Sequence, residues 1–294
     1  MRTGSGNRSR RAGRRERMNG PQGNYVHAFD AVWACPAGFP KRMRSVARRH
    51  TSLSLLIGMA GEGGHAMGER IIGGGYFWEG SSDSCLVLPG LSGAEKARRL
   101  GDEIHQSGFS VSMPLLTYCL ETSDGPTPSN WRTWLDDARE AYTRLNRQMA
   151  SVAVAGIGVG GALALILAAE YPVSAVVAVA PTLRMPGMLG FWGPPPDCEG
   201  GTGSVRMRDI RAVARLARRS LFAVIAPALI VEPVKGGFVH PGSATRAYAD
   251  VSSREKRIEW LEKSRREFPG DAEFKQALAA IRDHLRPFGG QNCL

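Results

Sequence analysis

The spacing of apolar residues along the chain switches between two periods, one typical of buried strands and one typical of amphipathic helices. Compact apolar segments predict strands at 84–88, 109–113, 152–155, 173–180, 228–231 and 257–261. Apolar residues at every third or fourth position predict helices at 96–107, 131–145 and 271–285, and further helices are predicted at 160–170, 205–219 and 243–250. A β-hairpin around glycines 73–75 precedes them. Strands alternating with helices predict an α/β fold with a mostly parallel central sheet flanked by helices.

One junction between a predicted strand and a predicted helix carries an unusual glycine pattern. Gly156, Gly158 and Gly160 follow the strand 152–155 and open the next helix. Their spacing is that of a nucleophile elbow, G-x-S-x-G, in which a serine sits on a sharp turn between strand and helix. Glycine stands here at the serine position, so the pattern predicts a hydrolase scaffold without its nucleophile.

The same glycines permit a second interpretation, a dinucleotide-binding fingerprint of the form G-x-G-x-x-G completed by Gly161. In that motif an acidic residue ends the following strand, whereas here the next predicted strand ends at Ala180. We therefore expect no dinucleotide cofactor. No His, Cys, Asp or Glu cluster has the spacing of metal ligands, so we expect no metal either.

The positive charge is concentrated at the start of the chain. The net charge is +11, and residues 1–66 hold 12 of the 38 Lys and Arg residues but only 3 of the 27 Asp and Glu residues. Such a segment favours disorder, so the predicted organisation is a basic extension, 1–66, and a folded domain, 67–294. Because the remainder is nearly neutral, we expect no nucleic-acid partner for the folded domain.

Two features of the sequence bear on the cellular compartment, the length of its apolar runs and the spacing of its cysteines. The sequence contains no run of 18 or more apolar residues, so we expect no membrane span. Five scattered cysteines without metal or disulfide spacing favour a cytoplasmic location. A further hypothesis is that translation begins at Met67, since residues 62–64 correspond to purine-rich codons and strand-like sequence starts just after this methionine.

From about residue 86 to residue 286 the chain resembles α/β-hydrolases of the bacterial carboxylesterase and monoacylglycerol-lipase type. Seven segments carry the resemblance in the order and spacing of the family: 86–93, 131–136, 154–165, 171–173, 226–231, 239–244 and 260–264. The resemblance implies an α/β-hydrolase fold with a small cap insertion, at about 183–223, over the active site. It also implies hydrolysis of carboxylic esters by a serine, a histidine and an acid.

Transferred position by position, the resemblance places none of these three side chains in this chain. The nucleophile position is Gly158, the acid position is Gly236 and the base position is Arg266. Glycine offers neither nucleophile nor acid, and arginine stays protonated and cannot act as a base near neutral pH. The sequence thus predicts that the catalytic triad is replaced.

Other parts of the site are expected to persist. The resemblance implies oxyanion-type backbone N–H donors at Leu91 and Val159, which do not depend on side chains. Phe191 and Trp192 in the cap, and His240 after the lost acid, are candidate ligand contacts. The first hypothesis is therefore a non-catalytic relative that binds a small apolar or acyl ligand or a protein partner. The alternatives are an active ester hydrolase using non-standard residues, such as a rearranged pair of Ser92 and His240, and a relict without a role.

Overall fold

The computed structural model describes residues 69–72, 75–91, 94–119, 121–122, 125–126, 130–184, 207–234, 242–262 and 272–289. The predicted basic extension, 1–66, lies outside the described residues, as do residues 185–206 of the predicted cap. Within the described part, the segments follow the predicted α/β alternation.

An eight-stranded sheet, ordered β1-β2-β4-β3-β7-β8-β9-β10, forms the centre of the described part of the chain. The strands are β1 (Glu69–Ile72), β2 (Gly75–Trp78), β3 (Asp83–Leu88), β4 (Ser110–Met113), β7 (Ser151–Ile157), β8 (Val176–Val179), β9 (Ala228–Pro233) and β10 (Lys256–Leu261). β2 runs antiparallel to β1 and β4, and all other neighbours are parallel. The carboxyl ends of β3, β7, β8 and β9 therefore meet at one edge, where parallel α/β sheets place their sites.

Helices cover both faces of this sheet. They are α1 (Ala94–Gln106), α2 (Trp131–Asn146), α3 (Val159–Glu170), α4 (Met207–Ser220), α5 (Gly242–Asp250) and α6 (Ala272–Leu285). The core is divided in two because successive strand residues point to opposite faces. One cluster joins the sheet to α2, α3, α4 and α5, and the other joins it to α1 and α6. Val154 belongs to the first cluster and Ala155 to the second.

Helix α3 occupies the middle of the first layer, and every residue from 159 to 168 is buried. A helix that is apolar all round is stable only when packed on every side. The neighbouring helix α2 begins where Asn130 caps it, since the Asn130 side-chain oxygen accepts a hydrogen bond from the Arg132 N–H at 2.9 Å.

The far edge of the sheet is β10, which pairs only with β9 among the described strands. Charged residues dominate this edge strand: Lys256, Arg257 and Glu259 precede a partly exposed Trp260. By contrast, β7, β8 and β9 are almost continuously buried, as expected of strands covered on both faces.

The structure confirms the predicted strands and helices and differs in two details. Strand β8 begins at Val176, three residues later than predicted, because the chain first turns through residues 171–174 after α3. A short hairpin, β5 (Glu121–Thr122) and β6 (Gly125–Pro126), lies in a stretch for which no strand or helix is predicted. Among the residues that the structure describes, no helix combines the length and apolarity needed to cross a membrane.

Candidate functional site

A sharp turn joins β7 to α3 at the sheet edge where the parallel strands end. Gly158 forms this turn with φ 58° and ψ −116°, a backbone conformation that side-chain-bearing residues rarely adopt. Its N–H donates to the Val179 carbonyl at 2.9 Å. Its carbonyl accepts from the N–H groups of Ala162 and Thr182 at 3.1 and 3.0 Å. Hydrogen bonds to α3 and to the loop after β8 thus hold this turn in place.

The glycines on either side of the turn permit close backbone contacts. A β-carbon on Gly156 would lie 2.2 Å from the Gly160 carbonyl oxygen. A β-carbon on Gly160 would lie 2.3 Å from the Leu88 carbonyl oxygen and 2.4 Å from that of Pro89. Any larger residue at these two positions would push the strand, the helix and the loop after β3 apart. The G-x-G-x-G spacing therefore has a packing reason independent of any chemistry.

A buried tyrosine, Tyr118, anchors the loop after β3 by a hydrogen bond. The Tyr118 hydroxyl donates a 2.5 Å hydrogen bond to the Pro89 carbonyl oxygen. The Tyr118 ring packs edge-on against Trp134, with ring centroids 5.1 Å apart. Leu91, two residues after Pro89, is buried at 8% exposure. The loop is consequently anchored beside the first turn of α3.

The predicted backbone donors belong to these two segments. Val159 is the first residue of α3, and the first N–H groups of a helix have no partner within the helix. Leu91 lies in the loop after β3. The carbonyl groups of Leu88 and Pro89, at the start of this loop, lie against Gly160 in the first turn of α3. The structure thus brings the two segments with the predicted donors together at the end of a helix whose dipole favours negative charge.

A third segment completes the described part of the site, the loop after β8. Ala180 has φ 43°, and its N–H donates to the Val231 carbonyl at 2.7 Å. The Thr182 side chain is 1% exposed, and its hydroxyl has no hydrogen-bond partner among the described residues. The backbone N–H of Thr182 is bonded to the Gly158 carbonyl, so the Thr182 backbone lies next to the elbow.

Strand β9 brings a carboxylate to the same edge of the sheet. Glu232, the penultimate residue of β9, is fully buried and pairs in register with Trp260 of β10. Sequence reasoning did not assign a function to Tyr118 or Thr182, because neither lies in a recognisable motif.

The remaining predicted site residues lie outside the described residues. These are the acid position Gly236, the base position Arg266 and the three ligand-contact candidates Phe191, Trp192 and His240. Among the described residues, no group of three His, Cys, Asp or Glu side chains is arranged to hold a metal ion. What the structure shows directly is therefore the elbow, the loop after β3, and the loop after β8.

No protein-family model matches the chain. A thermostable monoacylglycerol lipase from Bacillus sp. strain H-257 is 24% identical over 211 residues, which are 64% of this chain and 84% of the lipase. A solved structure of the metagenome-derived lipolytic enzymes LipS and LipT matches with a TM-score of 0.56 and 24% identity, over 70% of this chain and 95% of the other. The monoglyceride lipase of Saccharomyces cerevisiae, solved with a substrate analogue, matches with a TM-score of 0.57 and 12% identity, over 75% and 95%.

The chain has the α/β-hydrolase fold of these lipolytic enzymes, including the elbow turn. In sequence it is similar to a monoacylglycerol lipase. The predicted fold and the predicted family resemblance are both confirmed.

Proposed function

We propose that this protein uses the α/β-hydrolase scaffold to bind a small apolar or acyl ligand, or a protein partner, and does not cleave esters through a serine-histidine-acid triad. The observation that carries the proposal is Gly158, which occupies the tip of the elbow with φ 58°. At this position the fold normally presents a nucleophilic side chain. Hydrogen alone projects from Gly158.

The family correspondence extends the same argument to the other two positions. Gly236 corresponds to the acid and Arg266 to the base. An arginine holds its proton near neutral pH and cannot accept one from a nucleophile. Triad members act as a unit, so the loss of one removes most of the benefit of keeping the others. Substitution at all three positions is what we expect of a protein released from this chemistry.

The binding half of the site does not need the triad. The segments that carry Leu91 and Val159 approach each other closely at Gly160, so their backbone N–H groups remain suited to a carbonyl or carboxylate oxygen. Phe191, Trp192 and His240 are the side chains that we propose to contact the apolar part of the ligand. No cofactor or metal enters this proposal.

Hydrolysis and binding are tested by separate experiments on the full chain. We expect p-nitrophenyl acetate and butyrate to be hydrolysed at the rate of a Gly158→Ala control, and a fluorophosphonate probe to label no residue. We expect monoacylglycerol or fatty acid to raise the melting temperature, since a ligand that binds only the folded state stabilises it. Stoichiometric labelling at a serine or threonine would contradict the non-catalytic proposal. The absence of any thermal shift would contradict the proposed binding of an apolar or acyl ligand.

A second candidate is an active ester hydrolase with a different set of side chains. Two observations favour it: the buried hydroxyl of Thr182, whose backbone is bonded to Gly158, and the buried Glu232 carboxylate on strand β9. On this hypothesis, Thr182→Val abolishes both ester hydrolysis and fluorophosphonate labelling, whereas Ser253→Ala, which removes another buried hydroxyl, leaves both unchanged.

A further inference from the structure

Five arginines form a cluster beside the candidate site: Arg184, Arg215, Arg218, Arg219 and Arg246. Three of them belong to α4, in which the buried residues Ile210, Val213 and Ala217 face the core. Arg215 and Arg219, one helical turn apart, are exposed on the opposite side, and Arg218 is half-buried between them. The outward face of this helix is therefore a row of positive charges.

The other two arginines reach the cluster from separate elements. Arg184 follows the loop after β8, and its backbone N–H donates a hydrogen bond to the buried Ser243 hydroxyl at 2.9 Å. Ser243 lies at the start of α5, and Arg246 follows one turn later on the same helix. The Arg218 guanidinium donates to the carbonyl of Leu183, the residue directly before Arg184. Hydrogen bonds thus fasten α4, α5 and the loop after β8 together at this point.

The charges of the cluster act on one another. Burial lowers the pKa of Arg218 from its ordinary value, and the positive charges of Arg215, Arg246, Arg184 and Arg219 lower it further. In the described part of the chain, the carboxylate bonded to a member of the cluster is that of Asp250, which pairs with Arg246. Like charges gathered in this way destabilise a fold unless an anion offsets them.

We infer that the arginine cluster is a binding site for a phosphate-bearing ligand, either a free phosphate or the phosphate group of an anionic lipid. Planar guanidinium groups match phosphate oxygens in paired hydrogen bonds, and arginine is the preferred residue for such recognition. The arginines of the cluster come from three elements that hydrogen bonds join to one another, α4, α5 and the loop after β8. A carboxylate carries less charge and needs fewer arginines than this cluster offers.

The arginine cluster lies close to the elbow in the fold. Leu183 and Arg184 follow Thr182, whose N–H is bonded to the carbonyl of Gly158 at the elbow. A phosphate bound at the cluster would therefore lie near the segment that contacts the elbow. The inference does not depend on whether the elbow performs any chemistry, since none of the five arginines belongs to it.

The test compares two triple variants of the full chain with equal loss of charge. The first, Arg215→Gln, Arg219→Gln and Arg246→Gln, leaves Arg218 and its bond to Leu183 intact. The matched control, Arg147→Gln, Arg282→Gln and Arg286→Gln, removes three exposed arginines elsewhere on the surface. The probes are inorganic phosphate, followed by calorimetry, and phosphatidylcholine vesicles with or without phosphatidic acid, followed by co-sedimentation.

We expect the cluster variant to bind roughly tenfold or more weakly than the control variant, which should bind like the unmodified protein. Weakened binding of both phosphate and phosphatidic acid vesicles supports a site for the phosphate group itself. Weakened binding of the vesicles alone supports the lipid as its source. Equal losses in the two variants, or no binding of either probe by the unmodified protein, would overturn the inference. Circular dichroism confirms that each variant is folded.

Discussion

Gly160 lies against the end of strand β3 so closely that a β-carbon would stand 2.3 Å from the carbonyl oxygen of Leu88. Gly160→Ala must therefore displace backbone, not a flexible side chain. We expect the free energy of unfolding to fall by about 3 kcal/mol, at the upper end of the range for overpacked positions. Urea unfolding measures this loss.

The matched substitution is Gly161→Ala on the same turn, where the nearest atom to the new β-carbon, the Gly156 carbonyl oxygen, is 3.1 Å away. A small backbone adjustment relieves that contact, so the loss of stability should be clearly smaller. Equal losses in the two variants would contradict the packing argument for Gly160.

At the elbow itself we predict that Gly158→Ser lowers stability and restores little activity. A side chain at φ 58° and ψ −116° is strained, which costs about 1–3 kcal/mol. The introduced hydroxyl lacks the base and acid that would activate it. Denaturant unfolding and ester hydrolysis are measured together. Gly158→Ala, which has the same strain and no hydroxyl, is the control, and a strongly active serine variant would refute the proposed loss of the triad.

The loop after β3 depends on one phenol. Tyr118→Phe removes the 2.5 Å hydrogen bond to the Pro89 carbonyl and leaves that buried oxygen without this donor. We expect a loss of about 1–3 kcal/mol, together with faster hydrogen exchange in the loop. Tyr142→Phe is the comparison, since the Tyr142 hydroxyl makes longer contacts of 3.5 and 3.4 Å. A larger effect at Tyr142 than at Tyr118 would argue against this anchoring role.

His284 on α6 makes the stability of the fold sensitive to acid. Burial lowers its pKa below the ordinary value of 6.5, and the positive charge of Arg257 lowers it further. The unfolded chain consequently binds a proton more readily than the folded one, so stability is lost as the pH falls below about 6.5. In unfolding curves over a pH series, His284→Gln should lose less stability than the unmodified protein over this window. Identical pH profiles would exclude this contribution.

The order of strands and helices could be predicted because each element carries its own periodicity. Helix α2 shows this well, since its buried residues Trp134, Ala138 and Leu145 recur at helical spacing. The hairpin of β5 and β6 was missed because two residues a strand are too few to show any alternation. Local pattern thus predicts long elements and misses short ones.

The candidate site could be predicted only where a motif defines it. The spacing of Gly156, Gly158 and Gly160 predicted the elbow, and the structure adds that Gly156 and Gly160 are required by backbone contacts. The bond between Tyr118 and Pro89 joins residues 29 positions apart, and no local pattern announces such a pair. Arg184 joins the arginines of α4 for the same reason, through a tertiary fold that spacing alone does not reveal.

The charged edge strand β10 has a consequence for how copies of this protein meet. The outer side of an edge strand offers backbone groups to which a strand of another molecule can add, which is a route to aggregation. Lys256, Arg257 and Glu259 place charges along that border, and an approaching strand would have to desolvate them. These charges thereby oppose pairing of this sheet with a strand of a second molecule.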